Sequence, residues 1–314
     1  MKDTISKRID AVTEIQTEYL GAVLPIPKSV KIELTSRCNF QCTFCANRHR
    51  DRHGLADMDW KLYTKVVNEM ADAGVKELGV FYIGESFMCD WLPEAISYAK
   101  RAGIPYVFLT TNGFYATPHN VEAVMKAGLD SLKFSLNNSD PNQFRQVTGM
   151  AASGFERVLD HIKSASKIRN DNSYKTRIYA SSIKYDGIQQ SNMEKVVERI
   201  RPYVDEHYWL PLYTFGDQAK MEGGETVGGN PGRLDAMRPP MPCWAVFKEG
   251  HITHDGKLSA CCFDSDDKWT MADLNQVRFT EGWNSLSYQI LRQAHLKKDV
   301  HGTPCEGCIH GVKN

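Results

Sequence analysis

Between residues 30 and 212, short apolar β-branched runs alternate with longer amphipathic stretches, the pattern of repeated β/α units and a parallel sheet. The runs predict strands over 30–35, 77–83, 105–110, 130–136, 176–183 and 207–212. The helical period between them predicts helices over 59–73, 90–102, 118–127, 154–170 and 190–201, several closing on glycine as at Gly74, Gly103 and Gly128. Six units in succession predict an α/β fold, and in parallel barrels the chemistry gathers at the C-terminal strand ends. Residues 3–20 read as one more amphipathic helix, capping the barrel.

From 213 to 242 the alternation stops, and Gly223, Gly224, Gly228, Gly229, Pro231, Pro239 and Pro240 among others disfavour helix and strand alike, so this is a linker or active-site loop. A hairpin follows, with arms 245–253 and 257–262 around the turn pair Asp255-Gly256, and then a last helix over 283–297. The expected organisation is a capping helix (1–27), a barrel (28–215), a Gly/Pro-rich loop (216–242) and a small C-terminal domain (243–314). With 314 residues there is room for one large α/β domain and an appendage. A net charge of zero gives no reason to expect nucleic acid or an anionic membrane as partner. Residues 1–19 lack the apolar core of a signal peptide and no later stretch approaches a span, so the expected location is cytoplasmic.

In that setting nine clustered cysteines point to metal ligation and not to disulfides. Cys38, Cys42 and Cys45 fall in Thr35-Ser36-Arg37-Cys38-Asn39-Phe40-Gln41-Cys42-Thr43-Phe44-Cys45, directly after the first strand. A [4Fe–4S] cluster normally takes four thiolates, so three ligands in eight residues leave one iron open. This loop resembles the CxxxCx(aromatic)C motif of the radical S-adenosylmethionine (radical SAM) superfamily, with Phe44 as the aromatic. The resemblance implies a partial (β/α)6 barrel in which SAM chelates the open iron and is split reductively to a 5′-deoxyadenosyl radical.

Cys243, Cys261, Cys305 and Cys308 can together supply a second, four-thiolate site, which from spacing alone is a zinc ribbon or an iron–sulfur site. Their order resembles the twitch, or SPASM-like, auxiliary-cluster domain of radical SAM dehydrogenases, which implies a second [4Fe–4S]. Tyr82-Ile83-Gly84-Glu85 resembles the family's Gly-Gly-Glu element, with Ile83 in place of the first glycine, and implies that Gly84 and Glu85 receive the methionyl amino group. Asn112, before Gly113, is either a ribose contact or turn chemistry. Ser135 and Asn137, two apart and so on one side of their strand, are candidate ribose contacts, and Ser182 of the Ser181-Ser182 pair is a candidate for the SAM carboxylate.

Four ligands in the second site leave Cys262 and Cys89 unassigned. Cys89, after Glu85 and near the strand ends, reads as a buried residue, with hydrogen donor as its alternative role. Cys262, beside a cluster ligand, has a chemical use: its S–H can return a hydrogen to a substrate radical from the opposite face and so invert a stereocentre. Residues 106–110, 130–135, 206–213 and 242–247, with Cys261-Cys262, resemble radical SAM epimerases of aminoglycoside biosynthesis. That resemblance implies Cys262 as hydrogen donor, a cationic amino-sugar substrate and a flavodoxin or ferredoxin as electron donor. A polycation calls for carboxylates and aromatic faces, which nominates Asp264 and Asp217 with Tyr208 and Tyr213. A radical SAM dehydrogenase of a sugar or cyclitol alcohol is the alternative, and a non-catalytic zinc-binding protein is the alternative from another class.

Overall fold

A computed structural model of the chain describes residues 4–50, 54–215, 224–264 and 269–310. The six runs form parallel strands β1 (Ser29–Ile32), β2 (Glu77–Gly79), β3 (Tyr106–Thr111), β4 (Ser131–Ser135), β5 (Arg177–Ile183) and β6 (Glu206–Leu210), hydrogen-bonded in that order. Alternation in β3 explains the arrangement: Val107, Leu109 and Thr111 are buried, whereas Tyr106, Phe108 and Thr110 line an internal cavity. In register with them, Ser131 and Lys133 of β4 and Tyr208 of β6 line the same cavity, so one face of the sheet packs on helices and the other encloses space.

Helices α1 (Ile5–Thr13), α2 (Trp60–Asp72), α3 (Leu92–Arg101), α4 (Pro118–Lys126), α5 (Pro141–Thr148), α6 (Gly154–Asp171) and α7 (Gly187–Ile200) complete this part. Tyr63, Val66, Val67 and Met70 of α2 are fully buried, each contributing about 1.5–3 kcal/mol by its removal from water. The capping helix ends at Thr13, not at 20, because Glu14 turns extended. Its Arg8 pairs with Glu77, and the Ile5 amide donates to Glu206 Oε2 at 2.9 Å, which closes the N-terminal end of the barrel. Helix α5 lies outside the expected elements, although its signals are ordinary ones: Asp140 caps the Asn142 and Gln143 amides, Pro141 opens the helix, and Gly149 closes it at φ +75°.

Within the Gly/Pro-rich loop, β7 (Leu212–Tyr213) pairs with β8 (Thr226–Val227). The first hairpin arm was expected to be all strand, but it begins as a helix, α8 (Trp244–Lys248). All five residues are buried, and four successive apolar residues before Lys248 carry no period to separate helix from strand. Then β9 (Glu249–Ile252) pairs parallel with β1, and β10 (Lys257–Ser259) and β11 (Thr270–Asp273) follow antiparallel, giving one nine-stranded sheet in the order β11-β10-β9-β1-β2-β3-β4-β5-β6. Helices α9 (Phe279–Trp283), α10 (Leu286–Leu296) and α11 (Glu306–His310) are the last described elements. Among the described residues no helix is long and apolar enough to cross a membrane.

Candidate active site

The loop after β1 is fixed from three directions. The Gln41 and Thr43 amides donate to Thr148 O (2.8 Å) and Val147 O (3.2 Å), carbonyls at the C-terminal end of α5 that the helix leaves unpaired. Glu33, 1% exposed, accepts from Arg50 (2.7 Å), the Gly84 amide (3.2 Å) and His254 (3.3 Å), so a single carboxylate ties the cysteine loop to the β2 turn and to the β9–β10 hairpin. Those bonds hold its pKa below the usual carboxylate range although burial works against them. Gly84 is required sterically, because a Cβ there would lie 2.0 Å from Thr35 O.

Cys38, Cys42 and Cys45 are half-buried in this loop. Burial pushes all three thiols up, Cys38 to about 12, and Cys38 and Cys42 also feel like charge from neighbouring thiolates. Burial outweighs the nearby Arg48 and Arg50 charges and keeps the thiols protonated, whereas an iron–sulfur cluster would hold them as thiolates, so the donor set fits the group the motif implies. Phe44 is half-buried against the core. Asn112 reaches across from the end of β3, its Nδ2 donating to Asn39 Oδ1 at 2.9 Å and lying 4.0 Å from Cys38 Sγ, while its Oδ1 accepts from the Phe114 amide at 2.9 Å. It is thus both turn-former and loop contact. Buried donors left unpaired at this rim, Asn39 Nδ2 and Asn138 Nδ2, are consistent with a polar ligand there.

Other candidate SAM residues divide. Ser135 lies in register with Ser181, and Ser181 hydrogen-bonds Tyr208 on the cavity-facing side. Ser182 is corrected: the next residue on a strand faces the other way, and its hydroxyl, fully buried, meets His207 Nε2 at 3.0 Å, so Ser181 is the one turned inward. Glu85 is corrected as well. Its carboxylate is buried and accepts from Thr111 Oγ1 (2.8 Å), the Asn112 amide (2.8 Å) and the Phe87 amide (3.2 Å), holding the end of β3 in place of facing a ligand. Asn137 accepts from the Ile183 amide (3.1 Å) and from Tyr185 (2.7 Å), bracing β4 against β5.

Cys243, Cys261, Cys305 and Cys308 all line one cavity of roughly 160 Å³, which they share with Gly229, Phe263 and Asp264. A water-sized occupant needs only on the order of 10–15 Å³, and among the described residues no three His, Cys, Asp or Glu side chains close on a single-ion site. Four thiols around one cavity supply the donor number an iron–sulfur cluster takes. The Gly229 amide donates to Cys308 Sγ (3.1 Å) and the Phe263 amide to Cys261 Sγ (3.4 Å). Tyr82, whose role the sequence reading missed, puts its hydroxyl 2.7 Å from Cys261 O and 3.0 Å from Asp264 O, pinning this segment to the end of β2.

Cys262 points the other way. It lines the cavity enclosed by the barrel strands, of about 220 Å³, together with Lys31, Lys133, Tyr208, Tyr213 and Phe263. Burial holds its thiol protonated, up at about 12, and Asn230 Nδ2 lies 3.6 Å from its sulfur. Tyr208 and Tyr213 are therefore wall residues, the latter fixed by its bond to Gly232 O (2.6 Å). Asp264 is corrected: it is 7% exposed, accepts from Ser259 at 2.9 Å and lines the four-thiol cavity. Asp217 lies outside the described residues. The barrel cavity is not acidic, since Glu77 pairs with Arg8 and Glu249 with Lys31 (2.7 Å). Lys133 makes no ion pair among the described residues, and burial with the nearby Lys31 charge lowers its pKa to about 8. Cys89 packs in the core, 3% exposed, and lines neither cavity.

The model of the radical SAM superfamily matches residues 32–200, more than half of the chain, and that of an iron–sulfur cluster-binding (SPASM) domain matches 243–309. The chain is 30% identical over 141 residues to a probable GTP 3′,8-cyclase of Methanococcus maripaludis, and 34% identical over 145 residues to one of Sulfolobus acidocaldarius. These matches take in 45% of this chain and 46% and 44% of those proteins, so the chain spans less than half the length of the curated relatives. Its fold is shared with BtrN in complex with AdoMet and 2-DOIA (TM-score 0.59, 14% identity, 90% of this chain and 92% of that one). It is also shared with Streptococcus suis SuiB bound to its precursor peptide SuiA (TM-score 0.67, 14% identity, 86% and 67%). The first domain brings a [4Fe–4S] cluster and SAM, the second auxiliary iron–sulfur binding. The chain belongs to the radical SAM superfamily and carries a C-terminal SPASM-type cluster domain.

Proposed function

We propose that this enzyme is a redox-neutral epimerase that inverts a ring carbon of an amino-sugar substrate of the aminoglycoside type. The observation that carries the reading is the divergence of two adjacent thiols: Cys261 faces the four-thiol cavity with Cys243, Cys305 and Cys308, and Cys262 faces the barrel cavity. A fifth thiol, kept protonated beside a cluster site and turned into the barrel interior, suits hydrogen-atom return. When bound at Cys38, Cys42 and Cys45, the cluster and SAM supply the 5′-deoxyadenosyl radical that removes a hydrogen atom from carbon. Cys262 then returns one, its S–H bond breaking as a C–H bond forms on the opposite face. The thiyl left behind needs one electron and one proton to become a thiol again, and a flavodoxin- or ferredoxin-type donor is a suitable source.

The cavity walls suit the apolar faces of a sugar ring, with Phe81, Phe108 and Tyr208 around it. Its carboxylates are engaged by Arg8 and Lys31, so the ring that enters presents hydroxyl oxygens to Lys133 and keeps its ammonium groups toward the mouth. The cyclase names of the curated relatives belong to proteins that align with less than half of this chain, which supports shared radical chemistry without assigning a substrate.

Turnover in deuterium oxide tests the proposal. One solvent deuterium is expected at the inverted carbon, delivered through the exchangeable thiol, and Cys262→Ala is expected to form 5′-deoxyadenosine in the presence of substrate without the epimer. A ketone product with no deuterium would instead establish a dehydrogenase, and unaltered epimerisation by Cys262→Ala would remove Cys262 as donor.

A further inference from the structure

His295 of α10 is fully buried and sits between the Cys243 backbone amide and the Cys305 thiol. The Cys243 backbone N–H donates to its Nδ1 at 3.3 Å, and its Nε2 lies 3.2 Å from Cys305 Sγ. The first bond settles the tautomer. A nitrogen that accepts from an amide carries no proton, so the single proton of the neutral ring is on Nε2. Protonating both nitrogens would set two N–H groups against each other at Nδ1, so this geometry holds the ring neutral. Nε2–H therefore points at Cys305 as a donor, in the way that metal-site histidines are oriented by a bond at their other nitrogen.

We infer that His295 sets the reduction potential of the auxiliary iron–sulfur site through an Nε2–H···Sγ hydrogen bond to Cys305, with the Cys243 amide fixing the donor's tautomer. A hydrogen bond to a ligand sulfur is stronger when the cluster carries one more negative charge, so it favours the reduced form and raises the potential. Other sulfurs here take backbone donors, from Gly229 to Cys308 and from Phe263 to Cys261, which no side-chain substitution removes. His295 is thus a positioning residue whose chemistry acts through Cys305, and the inference holds whichever reaction the barrel performs.

The test uses the anaerobically reconstituted full chain and its His295→Leu and His295→Gln variants, with both clusters followed by EPR-monitored redox titration. The catalytic-site signal is identified by its change on adding SAM. In His295→Leu the auxiliary couple should fall by about tenfold in its reduction equilibrium, which is 59 mV for one electron, while the SAM-responsive couple stays put. His295→Gln, which offers an N–H in place of Nε2–H, should recover most of the shift. Equal auxiliary potentials in all three proteins would overturn the inference. So would loss of auxiliary iron from both variants, which would make the ring a packing element only. Because the readout is a potential, its failure is distinct from failure of the epimerase reading, which the deuterium experiment decides.

Discussion

Lys133 faces the barrel cavity with no ion pair among the described residues, and burial and the Lys31 charge outweigh the attraction of Glu249, so its ammonium is unfavourable until a ligand oxygen meets it. Its pKa of about 8 lies below the ordinary 10.5. Between those values the unfolded chain binds a proton that the folded chain does not, so this lysine's contribution to stability rises as pH climbs from 8 to 10.5. Lys133→Met is expected to raise the melting temperature at pH 7, with a gain that fades by pH 10.5, and to raise substrate KM about tenfold, as loss of a charged hydrogen bond would. Calorimetry across pH reads the first effect. In steady-state kinetics the wild-type KM should climb from pH 7 to 9 while that of the variant stays flat. At Gly84 the constraint is steric: with Thr35 O at 2.0 Å from any Cβ, Gly84→Ala must displace either the cysteine loop or the β2 turn.

Among the elements, α5 does more for the catalytic loop than its eight residues suggest, since the carbonyls of its last turn receive the Gln41 and Thr43 amides. Loosening the helix at its start should therefore be felt at its end. Asp140→Ala removes the cap on the Asn142 and Gln143 amides, at a cost of about 1 kcal/mol. It is expected to speed chelator-driven iron loss from the Cys38/Cys42/Cys45 site while the four-thiol site keeps its iron, and a time course of iron release with the SAM-responsive EPR signal as marker checks this. The Gly/Pro-rich loop is likewise more than a linker: the Gly229 amide bonds to Cys308 and Asn230 borders both cavities, so the segment forms the wall between them.

For the whole molecule, the decisive feature is that β9 adds to β1 in parallel, continuing the barrel sheet directly into the cluster-binding segment. Glu33 and Tyr82 then pin that segment to the strand ends of β1 and β2, and this is why Cys261 and Cys262 arrive at the barrel with opposite outlooks. Two separate clusters make an additive expectation. The reconstituted enzyme should carry about eight irons, and about four should remain after Cys38→Ala/Cys42→Ala/Cys45→Ala or after Cys243→Ala/Cys261→Ala. Colorimetric iron and sulfide analysis decides it, and colourless protein containing a single zinc would refute the cluster assignment.

Chain order alone determined a good deal. The apolar runs and their glycine stops gave the six strands and most helices within a few residues, because period and turn chemistry are local properties. Cysteine spacing gave both thiol groups, because ligand number and loop length are written along the chain. Asp140-Pro141 and Gly149 were equally local and equally legible signals for α5. What only the tertiary structure decided is orientation and partnership over long separations. The turn of Ser182 toward His207 and the commitment of Glu85 to Asn112 belong here, as do the burial of Asp264 beside the thiols and the burial of Lys133 against the barrel cavity. Each depends on which distant residue fills the space opposite a side chain, and that is fixed by packing between elements far apart in sequence. Cys261 and Cys262 mark the boundary: adjacency made them conspicuous, and only the folded loop set them facing different cavities.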